Sequence, residues 1–535
     1  MAQYVPAEGL AFVEVNDFAA AANGLTQTEA WRTLAGALDA PPHLTPNRWL
    51  ISLARWTGIG PVDALLVARS QIALVFTQAQ ATERDNTLTI KPVAALVVET
   101  HTSQRKMTPV IEERIAQFAE RAYGQPTVTR KQVAGVELAE WSTADNSRRL
   151  VLALLGTTAI VGNDETVVLS CVEVRSGTRR SLAENTQLAS AREQMNAARA
   201  HLFAFVPKAG VKAALQAWAF SRAGNVADVA SLAPIMSKSF GNLIDAFALT
   251  SRFDNQGAED RCRVFLSEGV GHELATYMVP DPGNRVDFPF APASAVSVTA
   301  YQLRNPANFW RELNAILSSR ADVLAALASR PLLQSLLAPY GINDPDKFFP
   351  AIGPTLQLVR VEVNSPAVLV AQSLDKQTLH KLAEQRLGRT NITNFNQAEL
   401  LTGSDGWGFA FVGNYFLSGR ADDVRLCLET RDGGAALTAV AGFSRTQESI
   451  DVSLPIIALT FGDDRSAAIS FIELFSRRER SAFSAKGPAI QEAAANLPYS
   501  ASVTLLKKDA FEWTSRSSFG LLGSLFTTFA PEKSH

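Results

Sequence analysis

The strongest constraint on how this chain folds is that it reads as two copies of one pattern. Cys171–Gly177 (CVEVRSG) matches Cys427–Gly433 (CLETRDG) at Cys, Glu, Arg and Gly. Upstream, Ala30–Leu38 (AWRTLAGAL) matches Phe309–Leu317 (FWRELNAIL), setting Trp31-Arg32 on Trp310-Arg311. Val93–Thr100 (VAALVVET) matches Pro366–Ser373 (PAVLVAQS), and Pro6-Ala7 with LAFVEVNDF matches Pro292-Ala293 with VSVTAYQL. Gly156 and Gly162 meet Gly413 and Gly419 after a one-residue shift. Matches in one order with similar gaps imply repeated supersecondary blocks. The copies run over 1–285 and 286–535, with a helical insertion at Gly210–Ser239 in the first. Asp281–Ala293, rich in Pro and turn residues, suits the boundary.

Each copy opens with an apolar strand in near-alternation, then helix. Gln71–Phe76 and Val93–Thr100 read as paired strands. A helix follows, with Thr108 as N-cap, Pro109 at its first position and Gly124 as its stop; Asp375 and Gly388 bound its counterpart. Gly135–Trp141, Leu150–Leu155 and Thr158–Val161 form a meander before the Cys-bearing helix, and Leu202–Val206 or Ile456–Phe461 is a further strand. A hairpin, Ala501–Leu506 with Ala510–Ser515 around Lys507-Lys508-Asp509, closes the second copy. Short connections favour antiparallel pairing, and the lack of strict βαβ alternation favours α+β. The expected fold is therefore α+β: two tandem duplicated lobes, each a mainly antiparallel sheet packed with helices.

Composition narrows the function classes. Apolar residues make up 47%, enough for packed cores, and a net charge of −2 supplies no footprint for nucleic acid. Three Cys exclude a disulfide scaffold and a multi-Cys metal site. Met1–Leu10 carries no signal-peptide pattern, and Leu150–Val161, the longest apolar stretch, is too short to span a bilayer. The apolar patch Phe519–Phe529 reads as a terminal segment docked on the core, or as a contact for a partner or for peripheral attachment to a membrane.

No catalytic constellation stands out. Cys171 and Cys427 sit at equivalent points of equivalent helices, Cys171 sharing its face with Val167, Val168 and Val172, and read as small core residues, with a disulfide between them as the lesser alternative; Cys262 in RCRVF reads as a strand residue between outward arginines, with a nucleophilic thiol as the lesser alternative. The histidines, His43, His101, His201, His272, His380 and His535, show no metal-ligand spacing. His272-Glu273 begins like a metalloprotease motif, but Thr276 occupies the second histidine's place. Carboxylate-only cation sites stay open at Asp463-Asp464 and at Asp254 with Glu259-Asp260, although Asp after a strand and before a helix is an ordinary N-cap. Gly58-Ile59-Gly60 is a turn, and Arg179-Arg180 and Arg477–Arg480 are solvated helix ends. The matched Glu173/Glu429 and Arg175/Arg431 read as one structural tie made twice. No catalytic, cofactor or metal residue is assigned, and no cofactor is implied.

The opening strand Pro6–Val15, the AWRTL helix, the hairpin Phe409–Gly419 and the ending Thr514–Leu525 (TSRSSFGLLGSL) resemble a bacterial family catalogued as Domain of Unknown Function 3352. The resemblance implies no reaction and no catalytic residues. It implies an exported or membrane-anchored envelope protein, whereas the absent signal peptide leaves the cytoplasm open. The expected function is non-enzymatic binding or scaffolding, with a protein or apolar small molecule as partner. The alternatives are a carrier of a lipid or pigment, suggested by 29 Phe against 7 Tyr, and a hydrolase whose site is assembled from distant residues. A pocket holding paired, strongly shifted carboxylates, or a bound metal, would overturn the non-enzymatic reading.

Overall fold

The computed structural model describes residues 1–38, 40, 70–84, 87–133, 135–222, 241–283, 286–320, 337–473 and 488–529. His43, Gly58–Gly60, residues 223–239 of the insertion, Arg477–Arg480 and His535 lie outside the described residues. The first half contributes β1 (Ala11–Val15), β2 (Gln71–Arg84), β3 (Thr87–Glu99), β4 (Thr127–Val133), β5 (Val136–Ser142), β6 (Arg149–Leu155), β7 (Thr158–Gly162), β8 (Leu202–Pro207), β9 (Ile244–Asp254) and β10 (Gly257–Leu266). The second contributes β11 (Ser297–Gln302), β12 (Ile352–Arg360), β13 (Val368–Ser373), β14 (Asn391–Phe395), β15 (Ala398–Thr402), β16 (Trp407–Val412), β17 (Tyr415–Arg420), β18 (Ile456–Gly462), β19 (Ser500–Leu506) and β20 (Ala510–Ser517).

All twenty strands among the described residues belong to one mixed α+β fold with a single continuous sheet. From one edge the order is β4, β5, β6, β7, β3, β2, β1, β8, β9, β10, every neighbour antiparallel. It continues through β20, β19, β18, β11, β12, β13, β17, β16, β15 and β14, again antiparallel throughout. Counted outward from the β10–β20 seam, the same order of pairings occurs on both sides.

The seam corrects the expectation of two separate lobes. Each half ends on a strand whose outer row of N–H and C=O groups would face solvent as an open edge, a site for unwanted pairing. The two edges satisfy each other in antiparallel register from Ala258↔Ser517 to Phe265↔Ala510. The boundary segment does not hang free either: Phe288 and Phe290 are buried in a second-half core.

Helices cover both faces. Phe203 and Phe205 of β8 point into the cluster that holds Cys171, while Leu202, between them and the chain before, points to the opposite face with Trp31 and Phe471. In β18, Phe461 joins the cluster that holds Cys427, and Ile457 joins the opposite one. β8 shows the period-two alternation of a strand buried on both sides; in β18 the register shift between Ile456 and Ala458 is what sets Ile457 and Phe461, four residues apart, on opposite faces.

Local rules hold at several ends. Asp375 caps Lys376–Leu387 by accepting from the Thr378 N–H at 3.0 Å, and Gly388 ends that helix at φ 67°. The helix placed after Thr108 instead starts a turn earlier, at Gln104, with Ser103 as N-cap and Pro109 inside it. Met107, fully buried, anchors this extra turn, while Pro109, the sixth helical residue, removes the i→i−4 donor to the Arg105 carbonyl. The insertion begins as the helix Lys208–Arg222.

The C-terminal segment also needs correction. Gly520–Phe529 is a helix, and it is preceded by Phe519, which packs against Phe471 at 4.6 Å and against Trp31 at 6.5 Å between ring centroids. Phe519 and Leu522 are buried in that cluster, so these two apolar side chains dock the segment on the core, while Leu521 is 37% exposed. No helix among the described residues is long and apolar enough to cross a membrane.

Candidate functional site

The chemistry of the molecule concentrates where the two halves join. On β10 successive side chains alternate between faces, so Glu259, Arg261 and Arg263 share one face and Asp260 and Cys262 the other. The cross-strand register places Arg252 and Arg516 beside Glu259, and Glu512 beside Arg263.

On the first face these side chains form an ion-pair ladder across the seam. Glu259, only 4% exposed, receives Arg252 Nε at 3.0 Å, Arg261 Nε at 2.8 Å and Arg516 Nη2 at 2.7 Å. Arg516 also reaches Asp254 and Gln256, each at 3.0 Å. Arg263 donates to Glu512 at 2.5 Å and Asp509 at 3.0 Å. Burial by itself would raise the Glu259 carboxyl, but the Arg252 hydrogen bond and the fields of Arg261, Arg252 and Arg516 outweigh it and hold it below the usual carboxylate range.

Beside the ladder lies a groove of about 470 Å³. Its floor is the matching face of β19 and β20, where Ala501, Val503 and Leu505 stand opposite Arg516, Thr514 and Glu512. Ile450, Leu454 and Tyr499 wall it, and Arg445 of the helix Ala441–Glu448 closes one end with Glu29 from the first half. The charged groups at the rim have partners: Arg445 pairs with Glu29 at 3.3 Å, and Lys507 joins Arg263 on Glu512.

The opposite face carries a smaller pocket of about 300 Å³, between β10, β20, the helix Arg465–Glu473 and the C-terminal helix. It brings together two of the carboxylates singled out from sequence, Asp260 and Asp464, one from each half. Asp260 Oδ2 accepts from the Leu521 N–H at 2.9 Å and so caps the C-terminal helix from another strand. Asp464 Oδ2 accepts from the Ser518 N–H at 2.7 Å. Gly520, at φ 57°, makes this approach feasible, because a Cβ there would lie 2.5 Å from Asp260 Oδ2. Ordinary N-capping thus falls to Asp463, which takes the Arg465 N–H at 3.2 Å, while Asp464 is spent on a distant segment.

Asp260 is 2% exposed, and Oδ1 of both Asp260 and Asp464 lacks a hydrogen-bond partner among the described residues. The fully buried Ser251 hydroxyl sits across the strand pair from Asp260 but forms no bond of normal geometry. Burial pushes both carboxyls up, and the neighbouring Glu259 and Asp463 charges push the same way.

The other residues considered from sequence are not assembled into a site. Cys171, Cys427 and Cys262 are free thiols pushed up to about 12 by burial, which removes the nucleophilic thiolate. His201 accepts from the Phe253 N–H at 3.2 Å, and His380 lies 3.2 Å from Glu399 and stacks on Phe411. Glu173 takes Arg179 at 3.1 Å, and Arg175 lies over the Tyr4 ring. No group of three or more His, Cys, Asp and Glu that could hold a metal occurs among the described residues. Sequence reasoning missed the partners that make the seam a site: Trp513, Arg516 and Ser518. They lie in or beside the peptide TSRSSF, whose run of small polar residues in an otherwise apolar ending was the available signal.

No family model matches the chain, and no curated protein and no solved structure matches it.

Proposed function

We propose that the protein is a non-enzymatic binding protein that holds an uncharged, largely apolar small molecule in the groove beside the seam. The observation that carries this reading is the groove's chemistry: a volume of about 470 Å³, within the range of small-molecule sites, over the apolar row Ala501, Val503 and Leu505. Of the lining charges, Glu29, Arg445, Glu512 and Arg516 are held in ion pairs and Asp451 is held by the Ser453 N–H and hydroxyl, so the lining does not call for a strongly charged ligand. The matched peptides and the recurring order of strand pairings support reading the halves as copies of one unit fused through the seam.

The paired carboxylates are the feature that would favour catalysis. Acid–base catalysis by two carboxyls needs environments that drive their proton affinities apart. Asp260 and Asp464 are both driven upward, and each already uses one oxygen on a main-chain N–H. Glu259 and Asp260 do diverge, but they point to opposite faces of one strand.

The test is titration of the purified protein with N-phenyl-1-naphthylamine, an uncharged apolar fluorophore. Saturable enhancement with one site, and affinity at least tenfold weaker in Val503→Lys with an unchanged far-UV spectrum, is the expected result. Absence of saturable binding, or equal binding by the variant, would refute the reading.

A further inference from the structure

We propose that the pocket on the opposite face of the seam is a second, separate binding site, which takes a small organic cation: a primary amine with a compact apolar body, held between Asp260 and Asp464. This site opens on the other face of β20 from the groove, with Ser517 and Ser518 at the end of the strand lining both.

Three features of the pocket define the ligand. First, its described lining contains two carboxylates and no Lys, Arg or His. One oxygen of each carboxylate is anchored by a main-chain N–H; the other makes no hydrogen bond of normal geometry, although the Ser251 hydroxyl lies close enough to Asp260 and the Ser518 hydroxyl close enough to Asp464 to favour the charged form. A buried acceptor left without a donor is costly, and costlier when it carries charge. An ammonium group offers three N–H donors and one positive charge, which match the two carboxylates and the serine hydroxyls, such as that of Ser515, in the lining.

Second, Phe471, Trp513 and Phe519 form the apolar wall. Aromatic faces attract cations, indole most strongly, and they bury a short hydrocarbon body. Third, the volume of about 300 Å³ is far larger than a bare metal ion needs, and no described group of three metal-ligating side chains converges there. A compact amine fits both the size and the mixed lining.

The site joins all three parts of the seam. Asp260 comes from the first half, Asp464 from the second, and the N–H groups that orient them from the C-terminal segment. A bound amine would therefore draw the C-terminal helix and the two halves together.

Isothermal titration of the full chain with n-butylamine and putrescine, with 1-butanol, MgCl2 and CaCl2 run in parallel, tests the proposal. The expected result is saturable one-to-one binding of an amine, no binding of the alcohol, and affinity reduced at least tenfold in both Asp260→Asn and Asp464→Asn. Asparagine keeps a carbonyl oxygen to accept the Leu521 or Ser518 N–H, so the variants should retain the fold, checked by far-UV circular dichroism. If a variant does not fold, the amine-against-alcohol comparison on the unaltered protein still decides. The proposal is overturned if no amine binds, if butanol binds as well as butylamine, if folded variants bind amines unchanged, or if only the divalent ions bind.

Discussion

Replacing Glu259 with Gln isolates the electrostatic part of the seam. The side chain is almost isosteric, so packing is preserved, but the negative charge shared by Arg252, Arg261 and Arg516 is gone. Removing one member of a fully buried ion pair costs about 3–5 kcal/mol because the remaining charge is stranded. Here the three arginines are 37%, 46% and 43% exposed, so water takes over part of their solvation. Arg516 also keeps Asp254 at 3.0 Å. The expected loss is therefore smaller, about 2–3 kcal/mol. Urea unfolding followed by circular dichroism and tryptophan fluorescence reads it as a lower midpoint at unchanged slope. The pH dependence has a definite sign. The Glu259 carboxyl is held below its unfolded value, so its contribution is present above the unfolded value and is lost as pH falls through the folded one. The gap between the unaltered protein and Glu259→Gln should narrow from pH 7 towards pH 3. A loss under about 0.5 kcal/mol, the scale of an exposed ion pair, or a gap that does not change with pH, would refute the reasoning.

Gly257, at φ 139°, has the Ser517 carbonyl oxygen 2.3 Å from the position of a Cβ, so Gly257→Ala should destabilise by about 2 kcal/mol or more. The comparison Gly124→Ala, at φ 81° and ψ −105° in open space, should cost about 1–3 kcal/mol from backbone strain alone in thermal or urea unfolding. Phe519→Ala should cost about 3–5 kcal/mol, and limited proteolysis should then cut the C-terminal helix before the rest of the chain. With thiols pushed up to about 12, the thiolate fraction at pH 8 is about one in ten thousand; mass spectrometry should find no iodoacetamide adduct on the native protein and three after denaturation.

How much of this was legible depended on whether neighbours in sequence were neighbours in space. The meander β5–β7 was readable because its strands are apolar and Gly156, at φ 62°, marks the turn between two of them. Asp375 and Gly388 announced their helix ends for the same local reason. The strands β4 and β14 went unread because their sequences, TVTRKQV and NITNF, face solvent almost throughout and carry no apolar alternation. The seam was invisible for a different reason. Pairing between β10 and β20 joins residues about 250 positions apart, and one half's strand pattern reads the same whether its last strand is an edge or the middle of a sheet. The carboxylates of the pocket were noticed individually, Asp260 and Asp464 among them, but nothing local indicates that a helix N-terminus at Leu521 would draw them to one place.

The account turns on β10 and β20 lying at the centre of one sheet. Hydrogen–deuterium exchange on peptides covering Gly257–Leu266 and Ala510–Ser517 measures that directly. The account predicts that their amides exchange as slowly as those of β1 and β18, which are paired on both sides, and much more slowly than the outer edges β4 and β14. Exchange at β10 and β20 as fast as at β4 and β14 would mean that the halves end there, and would contradict the continuous sheet and the sites built on its seam.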